Sequence, residues 1–256
     1  MKLAACYTVF DGAELLEASM KAIESQVDFF VICWQHKSNN GNRIKASDLA
    51  KVHRLRGDNI IIVQYEPNIG NAKQKERDKH NKMIQVAREY GATHFLMAAC
   101  DHFYLDYEFE FAKRLCEVMD WDATFTAMYT YYKDPTWQLT PIETYFMPFI
   151  CKLYPETRIE RIPRFPLLVD PSVQMNTWIK YYLFKEFEIM LHHYSMIRKD
   201  IEGKFKNAAS PWRPAQVAEF TQEWNGYDIN GNPGVKYFQG RKIKVVNDYF
   251  NLGTIL

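Results

Sequence analysis

Residues 73–104 read KQKERDKHNKMIQVAREYGATHFLMAACDHFY, and their pattern decides the fold. Lys73 to Tyr90 is charged and amphipathic, as a surface helix is, and Gly91 follows as its C-cap. Thr93 to Cys100 is then a short apolar run of the kind found in strands covered on both faces, and it ends at a carboxylate, Asp101. A helix leading into a buried strand is one unit of an α/β sheet.

The same unit recurs upstream. Lys2 to Phe10 reads as a buried strand broken by Asp11-Gly12, followed by a helix over Glu14 to Ser25. Phe29 to Trp34 is a second all-apolar strand ending in the polar turn HKSNNGN, and Ser47 to Leu55 is a helix with Ser47 as N-cap. Asn59 to Tyr65 is a third strand, rich in β-branched residues, followed by the loop EPNIGN. Four such repeats predict right-handed crossovers and a mostly parallel sheet flanked by helices.

Downstream the texture changes. Trp121 to Tyr132 alternates like a strand, and Asp134 to Pro171, rich in proline and aromatic residues, is expected to be irregular apart from a strand over Tyr145 to Leu153. Helices are expected over Asn176 to Met190 and Ser195 to Asn207. The turns of NGYDINGNPG and a strand or hairpin in KYFQGRKIKVVNDYF close the chain.

With 256 residues, 47% of them apolar, the chain can bury one sizeable core, so a single domain is expected. A net charge of +1 gives no global field to draw in nucleic acid or an anionic membrane. The five cysteines form no C-x-x-C pair and sit mostly among apolar residues, which predicts buried free thiols in a reducing compartment. No apolar run approaches the ~18 residues of a membrane span, and no charged leader precedes the first strand. A cytoplasmic protein is expected.

In open α/β sheets ligands bind beyond the carboxyl ends of the strands. Those positions here are Thr8 to Asp11, Gln35 to Asn42, Glu66 to Asn71 and Asp101 to Tyr104, all polar segments. Asp101 is well placed to hold Mn2+ or Mg2+ against a diphosphate; the plainer reading is a cap for the next helix. His102 is either a ligand or a turn residue. A histidine of the His192-His193 pair would complete a Mn2+ site, but from a helix only one of them faces an ion, and a solvated or core pair is the plainer reading. Arg198, Lys199 and Lys204 would neutralise a diphosphate, or simply form a solvated helix face.

The succession YTVFDGAELLEASMKAI, QHKSNNGN, ERDKHNKMIQVAREYGATHFLMAACDHFY, FPLLVDPS, HHYSMIRKDIEGKFKNAAS and GRKIKVVNDYF resembles the family 2-type GT-A glycosyltransferases, particularly small virus- and phage-encoded members. The resemblance implies a GT-A, Rossmann-like sheet in one domain over 1–256. Residues 1–104 would form its nucleotide-binding half. Residues 105–256 would form an irregular acceptor-binding half with a metal-ligand histidine and a C-terminal strand. It implies a hexosyl- or pentosyltransferase acting on a nucleotide-sugar, with UDP the expected nucleotide. Thr8, Val9, Phe10 and Asp11 match the loop that embraces base and ribose, and Gln35 and Ser38 match the turn that reads uracil. Lys79 and Asn81 match a basic-Asn pair facing the nucleotide. Ala99-Cys100-Asp101 matches the D-x-D motif with Asp101 as its metal-binding second Asp, and His193 matches a further metal ligand. Ala99 stands where the first Asp is usual, and Gln35 where an Asp is usual.

For inverting transfer a carboxylate must take the acceptor proton, and Asp170 or Glu188 are the candidates. The acceptor is expected to be a glycan or, for a phage-encoded enzyme in host cytoplasm, a hydroxymethylated pyrimidine in DNA. Lys180, Lys185, Lys199, Lys204, Lys206 and Arg213, with Trp178, Tyr181, Tyr182 and Trp212, would supply an acceptor surface if they are not core. The rival readings are a catalytically silent nucleotide-sugar-binding protein, favoured by Ala99, and a nucleotidyltransferase.

Overall fold

A computed structural model of the chain describes residues 1–66, 69–163, 165–177, 179–208, 212–231, 234–238 and 240–255. Trp178, residues 67–68 of the third polar loop and residues 232–233 of the C-terminal turns lie outside the described residues. Strand and helix alternate through β1 (Leu3–Val9), α1 (Leu16–Ile23), β2 (Phe29–Trp34), α2 (Ala46–Arg54), β3 (Ile60–Gln64), α3 (Ala72–Glu89), β4 (His94–Ala99) and the short β5 (His102–Phe103). Then come α4 (Asp106–Met119), β6 (Ala123–Thr126), β7 (Met128–Tyr132), β8 (Trp137–Thr140) and β9 (Met147–Lys152). The chain ends with β10 (Tyr181–Leu183), β11 (Leu191–Met196), α5 (Ile201–Asn207), α6 (Pro214–Gly226) and β12 (Lys242–Val245).

The strands form two sheets. Seven lie in the order β10-β6-β9-β4-β1-β2-β3, parallel except for β9, which runs antiparallel to both its neighbours. Five lie in the order β12-β8-β7-β11-β5. The α/β class and mostly parallel sheet are as the sequence predicts. Strand alternation sorts the core: Leu3, Ala5, Tyr7 and Val9 of β1 pack with Leu16, Val52 and Phe109 from α1, α2 and α4. Ala4 and Cys6 pack with Met83, Ile84 and Ala87 of α3 on the opposite face. All five cysteines are buried and free. Among the described residues no helix is long and apolar enough to cross a membrane.

Several predicted elements differ. No helix spans Asn176 to Met190: Tyr181–Leu183 instead adds a parallel strand beside β6, and Tyr182 stacks on Trp121 at 4.3 Å between ring centroids. That aromatic-rich stretch fits a helical stripe and a strand alternation equally well, and the open edge of β6 decides in favour of the strand. Nor does a helix begin at Ser195. The strand β11 runs to Met196, and α5 starts only after Asp200, whose carboxylate caps it by accepting from Gly203 N at 2.8 Å. Trp121 to Tyr132 is two strands belonging to different sheets, and the C-terminal segment contributes one strand, β12, antiparallel to β8. Lys45, not Ser47, is the N-cap of α2. The α3 start is instead a capping box between Asn71 and Gln74.

A buried histidine ties α3 to the loop covering that face: His80 lies 3.1 Å through Nδ1 from the carbonyl of Ser172. Burial lowers its pKa from 6.5 to about 4, so the ring is neutral in the folded chain and donates that bond. The unfolded ring takes up a proton near pH 6.5, so this contribution is full above pH 6.5 and is lost as the pH falls from 6.5 toward 4. The loss is at most roughly 3 kcal/mol. Denaturant unfolding of the chain is expected to show stability falling in that window, and His80→Gln to flatten the fall. An unchanged slope in the variant contradicts the assignment.

Candidate functional site

The chain passes from the first sheet to the second at Cys100-Asp101, between β4 and β5. Asp101 is no helix cap, because α4 begins at Asp106 behind Leu105. Its turn is pinned from two sides. Ser19 of α1 donates its hydroxyl to His102 O at 2.6 Å, so the Tyr7 hydroxyl, 3.0 Å from Ser19 Oγ, supplies the proton of that bond. Tyr194 N of β11 donates to Asp101 O at 2.8 Å. The antiparallel pairing of β11 with β5 sets His193 opposite His102. The two rings meet edge to face with centroids 5.2 Å apart.

Because neighbours on a strand face opposite ways, the His192-His193 pair is divided. His192 turns away from Asp101 and shares a hydrogen bond between its Nδ1 and the Tyr131 hydroxyl at 2.7 Å. His193 turns toward it, and its Nε2 is 3.9 Å from Asp101 Oδ1, while His102 Nε2 is 4.0 Å from the same oxygen. Burial holds the His193 pKa down at about 3 and lowers that of His102, so both imidazoles are neutral at pH 7 and these contacts are not ion pairs.

The other carboxylate oxygen faces cations. Arg198 Nη2 donates to Asp101 Oδ2 at 2.6 Å and Lys204 Nζ stands 3.6 Å from it. Arg198 Nη1 donates to Asp11 Oδ1 at 2.7 Å, and Asn207 Nδ2 donates to Asp11 Oδ2 at 3.1 Å. Burial opposes the charge on Asp101, but Arg198 and then Lys204 outweigh it and hold its pKa well below the usual carboxylate range. Burial and the neighbouring Arg198 bring Lys204 down to about 8. Gly12 makes room for this cluster. Its φ is +72°, and a Cβ there would stand 2.5 Å from Arg198 Nη1.

A pocket of about 340 Å³ opens over the Asp101 turn at the carboxyl ends of β1 and β4. It brings together Thr8, Phe10, Asp11, Lys79, Ala99, Cys100, Asp101, Asp170, His193 and Arg198 of the candidates named from the sequence. An adjoining crevice of about 180 Å³ holds Gln35, Ser38 and Lys204. There Gln35 Oε1 and Asn39 Oδ1 are buried acceptors without a partner among the described residues. Glu76 of α3 lines both spaces, and burial raises its pKa.

Three expected site residues lie elsewhere. Val9 is packed in the core. Asn81 spends its amide on the backbone of Ile159, donating to its carbonyl at 3.0 Å and accepting from its N–H at 2.6 Å. Glu188 does not line the pocket; it accepts from the Tyr182 hydroxyl at 3.1 Å and from Lys185 N at 2.7 Å. Of the expected acceptor surface, Tyr182 and Trp212 are packing residues, the latter against Phe205 at 4.1 Å. Sequence reasoning left His102 undecided and did not single out Ser19, Asn39 or Glu76. Only the spacing of Glu76 from Lys79 on one helix face was available to suggest the last.

No protein-family model matches the chain, and no curated protein is significantly similar to it. Among solved structures, the 1–349 segment of S. aureus TarS in complex with UDP-GlcNAc is similar over 51% of this chain and 35% of that one, at 12% identity and a TM-score of 0.37. A further structure of the same segment is similar over 80% and 63%, at 9% identity and a TM-score of 0.46. Mannose-1-phosphate geranyltransferase from Thermus thermophilus is similar over 60% and 51%, at 14% identity and a TM-score of 0.33. The chain thus spans between 35% and 63% of the length of these structures, and none is close enough to carry a residue's role across.

Gly41 is a control for Gly12, since its φ is +92° but nothing lies within 4 Å of an added Cβ. Gly41→Ala is expected to cost backbone strain alone, about 1 kcal/mol. Gly12→Ala should cost roughly 2–3 kcal/mol, because Arg198, fixed between two carboxylates, must also move. Denaturation midpoints of the two variants check this, and equal losses contradict it.

Proposed function

We propose that the chain transfers a sugar from a nucleotide diphosphate to an acceptor hydroxyl, with a divalent ion at Asp101. The observation that carries the reading is the convergence of Asp101, His102 and His193 at the carboxyl edge of the sheet, their ligand atoms all within 4.8 Å of one another. Ligands about 2.1 Å from one ion stand roughly 3 to 4 Å apart, which the separations of Asp101 Oδ1 from the two Nε2 atoms satisfy. Those two separations support a metal there. One carboxylate with two neutral imidazoles favours Mn2+ over the more strictly oxygen-seeking Mg2+. When bound, such an ion supplies positive charge against the departing diphosphate.

The chain's own residues fit the remaining tasks. Arg198 and Lys204 provide fixed positive charge beside Asp101. The unpartnered Gln35 and Asn39 oxygens await N–H donors of the kind a nucleobase edge presents, so Gln35 can serve where an Asp is usual in the family resembled. Asp170 lines the Asp101 pocket and uses one oxygen to accept from Ser172 N at 2.7 Å. It is therefore preferred over Glu188 as the base that takes the acceptor proton, the acceptor being a saccharide hydroxyl.

Purified protein with Mn2+ is expected to release nucleoside diphosphate from UDP-, GDP- or ADP-sugars when saccharide acceptors are supplied. Asp170→Asn should lower kcat by about 100-fold or more while leaving donor binding nearly unchanged. Absence of release from every donor would sink the transferase reading in favour of a silent nucleotide-sugar-binding protein. A fall in donor binding without a fall in kcat would remove Asp170 from the role of base.

A further inference from the structure

A second cavity, about 360 Å³, shares Phe10, Asp11 and Arg198 with the Asp101 pocket but is walled by α2 where that pocket is walled by α3. Because α2 and α3 cover opposite faces of the sheet, the two spaces flank its carboxyl edge. The donor reading uses Arg198 and Lys204 of the second cavity's lining and leaves Arg43, Lys51 and Lys199 without a role. Its volume is that of a small-molecule site.

Seven lysine and arginine side chains line it against four aspartates and glutamates, in a chain whose net charge is only +1. Three of the four acids are occupied, and Glu14 has no partner among the described residues. Asp11 is held by Arg198 and Asn207, Asp200 pairs with Lys45 and caps α5, and the buried Asp48 accepts from Ala13 N at 3.1 Å. Arg43, Lys51 and Lys199 are left without an acidic partner among the described residues. Lys51 comes from α2, Arg43 from the segment just before it and Lys199 from the segment after β11, so their convergence is a product of the fold and not of a basic run. Arg198 Nε, buried against the same cavity, also has no partner among the described residues. Ser47 adds a hydroxyl at the first turn of α2, a helix that no side chain caps.

We propose that this cavity binds the phosphate of a phosphorylated saccharide, which presents its hydroxyl to the donor pocket across the shared wall of Phe10, Asp11 and Arg198. Free guanidinium and ammonium groups lining a concave space match a phosphate monoester, which carries close to two negative charges and accepts several charge-assisted hydrogen bonds at once. The acceptor role rests on the glycosyl-transfer reading; the anion site does not.

Isothermal titration at fixed ionic strength tests it, with inorganic phosphate, glucose phosphate and glucose as probes. Glucose phosphate is expected to bind and glucose not to. The double variant Arg43→Ala/Lys199→Ala, at two exposed positions, should weaken glucose phosphate by at least about tenfold with an unchanged thermal midpoint. Saturating UDP should not displace it. Equal binding of glucose and glucose phosphate, indifference to the double variant, or displacement by UDP would overturn the site. A duplex oligonucleotide that bound the cavity more tightly than glucose phosphate would overturn the saccharide assignment. Phosphate binding that persists in a protein with no turnover would retain the site and reject the transferase reading.

Discussion

A single buried carboxylate, that of Asp101, organises this molecule by offering its two oxygens to different partners. Oδ2 meets the guanidinium of Arg198 and the ammonium of Lys204, and Oδ1 faces the neutral rings of His102 and His193. A charge that is 4% exposed is tolerated only where it is paired and hydrogen-bonded. Removing one partner of such a pair typically costs about 3–5 kcal/mol, because the other charge is left stranded. The constraint therefore reaches beyond the site. Arg198 and Lys204 are in place only if the segment after β11 folds back over the Phe10–Gly12 loop.

That fold-back joins the two sheets. β11 docks beside β5, gives its Tyr194 N–H to Asp101, and puts His193 and His192 on opposite faces. His193 then belongs to the site and His192 to the aromatic packing around Tyr131. On the other side, Arg198 bridges Asp101 to Asp11, so the loop after β1 is fixed by the same guanidinium that fixes the loop after β4. The bare Cα of Gly12 is the steric condition for that bridge.

The first hundred residues were legible because each strand there is a mostly apolar run alternating with a helix, whether it pairs with the next strand, as β1 to β3 do, or returns beside β1, as β4 does. Asp101 was legible for the same reason, as the polar residue that ends such a run. The second half was not. Tyr181, Tyr182, Phe184 and Phe187 satisfy two periodicities at once, and the choice between them depends on a sheet edge that forms elsewhere in the chain. The second sheet collects strands from residues 102–103, 128–132, 137–140, 191–196 and 242–245, a pairing no local pattern encodes. The resemblance points to His193 from a helical setting, whereas the residue lies on β11. His102 could not be decided, because its role depends on the strand opposite it.

Asp101 Oδ1 and the two imidazoles are expected to hold one ion. Electron paramagnetic resonance of Mn2+ titrated into the protein without nucleotide measures this through loss of the free-ion signal. The expected result is binding by the wild-type chain that weakens by at least about tenfold in His102→Ala and in His193→Ala alike. Binding that both variants retain undiminished, or that the wild-type chain lacks, would contradict it.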